Sequence, residues 1–146
     1  MTPPTFSRTL LLGWRVLDID DEPDSLEVAV RILRYYGATV LTATNGREGL
    51  TAAKVSHPQL IVSDISMPVM DGWQLIYELK KDRVLMDIPT IALTAHAMVG
   101  DRERAISAGF HNYLTKPLTA KTFMTDLLKL LIDIPVFSEA LSEVHL

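Results

Sequence analysis

Three kinds of side chain able to hold or move a charged group stand out in this sequence: the carboxylates of Asp20, Asp21 and Asp64, the hydroxyl of Thr94 and the ammonium of Lys116. Clustered carboxylates repel one another, and taking them out of water costs several kcal/mol unless cations or donors compensate. A divalent ion meets that need. An all-oxygen ligand set, with no cysteine and no histidine pair, suits Mg²⁺ (or Mn²⁺) better than zinc. Lys116 adds a second positive charge, mobile and point-like where an arginine would be a flat fork. Carboxylate, divalent ion and lysine together make a phosphoryl-transfer site: a carboxylate oxygen is the nucleophile, and the cations offset charge on the phosphoryl oxygens. The Thr94 hydroxyl can donate to the phosphate so formed.

These residues are far apart in the chain, so the fold must bring them together. Short apolar runs alternate with helical patterns of about 10 to 13 residues, as in βα units around a parallel sheet. The pattern predicts strands at Arg15–Asp20, Thr39–Thr42, Leu60–Ser63, Thr90–Thr94 and Asn112–Thr115. Between them, helical faces recur over Asp24–Tyr36, from Asn45 to about Ser56, after Asp71, and over Asp101–Ala108. A last helix spans about Ala120 to Leu131, with Phe123, Met124, Leu127, Leu128 and Leu131 inward. Gly37 and Gly109 are placed to end helices; Asn45 and Asp71 are placed to begin them. The layer rule gives one five-stranded parallel sheet between helices, an α/β doubly wound (βα)5 sandwich. In such sheets crevices open at the carboxyl ends of the strands. Asp20 and Asp21, Asp64, Thr94 and Lys116 all fall there.

A length of 146 residues fits one core. The reading is a domain over 15–131, an N-terminal extension over 1–14 and a C-terminal extension over 132–146. Pro135 should end or interrupt the last helix; the residues after it could dock, form another helix or stay mobile. No cysteine is present, which excludes disulfides and thiol chemistry. The apolar patch Leu10–Leu12 is far too short to span a bilayer, so a cytoplasmic address without membrane insertion is expected. The formal charge of −4 argues against direct nucleic-acid binding.

In this order and spacing, VLDIDDEP, LIVSDISMPVMDG, IALTAHA and YLTKPL resemble the receiver domain of two-component response regulators, the CheY-like family. The resemblance implies strand order 2-1-3-4-5 and makes Asp64 the phosphoacceptor. By the same likeness Asp20, Asp21, Asp64 and the Ser66 carbonyl are the metal site, and Thr94 and Lys116 assist the chemistry. Thr94 and Tyr113 would form the switch. It further implies a histidine kinase or histidine phosphotransfer protein as donor, autodephosphorylation, and a downstream protein effector or kinase domain. A homodimer is within the family's range. The chain is then a regulatory phosphoacceptor and not a metabolic enzyme, acting as a stand-alone regulator or as a receiver cut from a hybrid kinase.

Other readings stand beside these. Asp20 and Asp21 could be an acidic cluster at a helix N-terminus, and Tyr113 a static packing residue. Glu22 should face solvent, Trp73 and Met98 should pack, and Arg102, Glu103 and Arg104 should be charged helix surface. His96 could sense a partner or simply sit in a loop. Asp18 is unusual: it shares strand parity with Asp20 about 6.6 Å deeper, and needs a hydroxyl, a water or a proton to be buried. A phosphorylation-independent module of the same fold is the alternative function. A phosphoaspartyl hydrolase is disfavoured, since D-I-S replaces the D-x-D expected around its nucleophile.

Overall fold

The computed structural model describes residues 6–95 and 100–146. Five strands, β1 (Arg15–Ile19), β2 (Thr39–Ala43), β3 (Leu60–Asp64), β4 (Thr90–Thr94) and β5 (Asn112–Thr115), alternate with five helices. The helices are α1 (Pro23–Tyr35), α2 (Gly46–Ser56), α3 (Gly72–Lys81), α4 (Asp101–Ala108) and α5 (Phe123–Leu131). All neighbouring strands are parallel, in the order β2-β1-β3-β4-β5. The chain therefore starts in the sheet interior, steps out to β2 and returns past β1 to β3. The reversal opens a crevice between the carboxyl ends of β1 and β3.

Strand parity explains the two-layer cover. Val16, Leu60, Val62, Ile91 and Leu93 pack with Ala29 and Leu33 of α1 and with the inner face of α5. Leu17, Ile19, Ile61 and Ala92 pack with Ala53 of α2, Leu75, Ile76 and Leu79 of α3, and Ala105 of α4. Successive residues on each strand thus serve opposite layers, as a sheet buried on both faces requires.

Element ends follow local chemistry. The Asn45 side chain accepts from Glu48 N–H, whereas the Glu48 carboxylate reaches back to Thr44 N–H, one residue earlier than a regular capping box. Asp71 and Gln74 make the full box on α3. The regular last helix begins at Phe123, but the chain already turns in helical register from Thr119. The Thr119 hydroxyl accepts from the Thr122 N–H as an N-cap does, and its carbonyl accepts from the Phe123 N–H, in keeping with an apolar pattern that starts at about Ala120.

The terminal segments contribute to the core. Leu11, Trp14, Ile134, Phe137 and Leu141 are all buried in the α1/α5 layer. Pro135 does not turn the chain away: Pro135–Phe137 forms a short 3-10 helix, and the Phe137 ring stacks on Trp14 with centroids 4.5 Å apart. Phe137→Leu should therefore cost about 1 kcal/mol, since it keeps apolar volume but loses the ring pair. Urea denaturation measures this; an unchanged midpoint would mean that the segment does not dock in solution.

Candidate functional site

The carboxyl ends of β1, β3, β4 and β5 converge on one cleft of about 420 Å³, lined by Asp21, Glu22, Asp64, Ser66, Thr94, Tyr113 and Lys116 among others. Backbone constraints set the position of Asp64. Gly72 N–H bonds the Ile65 carbonyl at 2.7 Å, and a Cβ on Gly72 would stand 2.6 Å from the Asp64 carbonyl oxygen. No side chain fits there, which lets the start of α3 press against the turn after β3.

Asp64 is buried at the floor. Its Oδ1 accepts from Ile65 N–H at 2.8 Å and its Oδ2 from Lys116 Nζ at 3.1 Å. Lys116 Nζ also bonds Asp20 Oδ1 at 3.0 Å and Glu22 Oε1 at 2.7 Å. It reaches them from just after β5, where the Lys116 N–H bonds the Thr94 carbonyl at 2.8 Å and the bond to Pro117 is cis.

The electrostatics follow from crowding. Burial pushes the Asp64 carboxyl up to about 6; the neighbouring Asp20 and Asp21 push the same way, and the bond and charge of Lys116 pull against them. Burial alone would lower the Lys116 ammonium, but its bonds to Glu22, Asp20 and Asp64 reverse this and hold it above its usual value.

The donor set fits a divalent ion. One carboxylate oxygen each from Asp20, Asp21 and Asp64 lie within 4.8 Å of one another. Asp20 Oδ2 is buried with no hydrogen-bond partner, an acceptor position ready for a ligand bond. All three ligands are hard oxygens, as Mg²⁺ prefers.

The sequence-predicted residues are thus brought together. Ser66 and Thr94 line the cleft with the carboxylates, while Tyr113 lies between this cleft and a second cavity bounded by β5 and α5. His96 and Met98 lie outside the described residues. Glu22 is exposed as expected, yet it also makes the shortest of the three bonds to Lys116. The only sequence signal was its place directly after the acidic pair. Trp73 packs edge-on to Phe110 as expected, yet also lines the cleft, with the Arg104 guanidinium 4.1 Å over its ring. Asp18 is fully buried, and no hydroxyl reaches either of its oxygens.

Fold and site together define a doubly wound α/β domain with an acidic, cation-balanced pocket at its topological switch point. The chain belongs to the response regulator receiver domain family, whose model matches residues 16–128. The uncharacterized 14.6 kDa protein in the sodA1 3′ region of Leptolyngbya boryana is 41% identical over 103 residues, 70% of this chain and 79% of that one. The sensor histidine kinase GacS of Pseudomonas protegens is 36% identical over 118 residues; these are 79% of this chain but 13% of the kinase. Among solved structures, the receiver domain of sensor histidine kinase PA1611 from Pseudomonas aeruginosa PAO1 has a TM-score of 0.72 and 31% identity. It covers 82% of this chain and 95% of that one, and holds a magnesium ion in its active-site cleft.

Proposed function

We propose that the chain is a phosphorylation-dependent switch in which Asp64 accepts a phosphoryl group from a phosphohistidine on a histidine kinase or phosphotransfer protein in the cytoplasm. The observation that carries this reading is the convergence of Asp20, Asp64 and Lys116 by direct hydrogen bonds. The likeness to kinase-borne receivers supports the donor class.

An Asp64 oxygen forms the new P–O bond as the P–N bond to the donor imidazole breaks, and the imidazole leaves with the electron pair. Lys116 and Thr94 hold the phosphoryl oxygens by donating hydrogen bonds, and the Ile65 N–H fixes the other Asp64 oxygen. Asp20, Asp21, Asp64 and the Ser66 carbonyl would hold a Mg²⁺ ion, which when bound supplies charge neutralisation at the phosphoryl oxygens. Phosphorylation adds charge and acceptor oxygens near Thr94. Movement of Thr94 toward the phosphate leaves room for Tyr113, which lines both this cleft and the second cavity, to turn inward. A protein effector or a second copy would read the altered face.

Intact mass after incubation with acetyl phosphate tests the proposal. A gain of about 80 Da, the mass of one phosphoryl group in an aspartyl acyl phosphate, should require Mg²⁺ and vanish in Asp64→Ala. A gain retained in that variant would overturn the assignment.

A further inference from the structure

An ammonium carries three N–H donors and no acceptor. In Lys116 all three are engaged, by Asp20 Oδ1, Glu22 Oε1 and Asp64 Oδ2. The Lys116 side chain is 6% exposed, so water cannot easily replace a partner that leaves. A phosphoryl group on Asp64 brings several acceptor oxygens. One can take the donor that Asp64 Oδ2 gives up on becoming a neutral acyl oxygen, and a second needs a donor now held by Asp20 or Glu22.

Burial decides which. The Asp20 side chain is 0% exposed, and a carboxylate released there would be left unsolvated. The Glu22 side chain is 58% exposed and can turn into water at little cost. It has no other structural duty: Glu22 sits at the N-cap of α1, yet its side chain makes no capping bond, and Pro23 follows it.

We propose that Glu22 is a positioning residue that competes with the phosphoryl group for Lys116, occupying the donor while Asp64 is unmodified and releasing it to a phosphoryl oxygen. This deepens the phosphoacceptor reading and rests on it. Glu22 would set how tightly the site holds a phosphoryl anion, and so how long the signalling state persists.

Beryllofluoride with Mg²⁺, a mimic of the phosphoryl group on a carboxylate, is the probe. Trp73 lines the cleft, whereas the other tryptophan, Trp14, is stacked on Phe137 in the core, so fluorescence reports the site. Glu22→Gln should bind beryllofluoride about three- to tenfold more tightly than wild type, the net scale of one ordinary hydrogen bond, since Glu22 is well exposed. Glu22→Asp keeps the charge but loses a methylene of reach. If direct pairing matters, it should also tighten binding; if only Glu22→Gln does so, the effect is long-range charge and the competition is overturned. Binding by wild type that neither substitution strengthens also overturns it, leaving the phosphoacceptor reading intact. No binding by wild type, with no mass gain from acetyl phosphate, would remove both.

Discussion

Lys116→Met should lower the unfolding free energy by about 3 kcal/mol at pH 7 in the absence of divalent ions, because it removes the shared cation and leaves buried carboxylates facing one another. Lys116 is the common partner of Asp20 and Asp64, both buried. Methionine keeps the stem's apolar packing, so the loss reports charge and not a cavity. The pH dependence has a definite sign. Lys116 titrates above its usual value, so its contribution is present at neutral pH and is lost only in strong alkali. On the acid side the benefit depends on its partners being ionised. Asp64 titrates near 6, so the deficit should shrink as the pH falls below that value. Excess Mg²⁺ should also narrow it, by supplying another cation to the same oxygens. Urea titrations at pH 5 and 7, with and without Mg²⁺, read all of this; a deficit constant across those conditions would mean that methionine merely packs badly.

Asp18→Val should do the opposite, raising the unfolding free energy by about 2–3 kcal/mol at pH 7. Asp18 lies in the interior strand β1, in register with Thr42 and Val62, and neither of its oxygens has a partner. Burial raises its carboxyl well above the ordinary 3.8, with Asp20 adding to this, Lys116 opposing and Asp64 adding again. An acid with a raised folded value keeps its proton longer in the native state than in the unfolded one. Wild-type stability therefore falls as the pH climbs from about 4 toward the folded value. Valine removes that decline and suits a strand, so the advantage should be small near pH 4 and grow toward neutrality. A valine variant no more stable than wild type, or a gap independent of pH, would show that Asp18 has a partner in solution.

The strands β4 and β5 and helix α4 coincide with their sequence-predicted spans because each is bounded by residues with strong local rules: Pro89 before β4, Gly109 after α4, and Pro117 soon after β5. Helix α5 was less legible at its start. Apolar spacing marks the inward face but carries no information about whether Thr119 or Thr122 caps it. The docked C-terminal segment was not legible either, since Trp14 and Phe137 are 123 positions apart (137 − 14) and no period links them.

Periodicity and breakers are local properties of the chain, so the alternation of strands and helices, and the carboxylates, hydroxyl and lysine at the strand ends, were legible in the residues alone. Which carboxylates share the lysine is a matter of packing in three dimensions. Three carboxylates share one ammonium, one donor each, and that sharing depends on distances across β1, β3 and β5. Packing also seals Asp18 without a partner and leaves Glu22 the ligand of Lys116 most open to water. Those are facts of burial and geometry, set by how two helical layers close over the sheet.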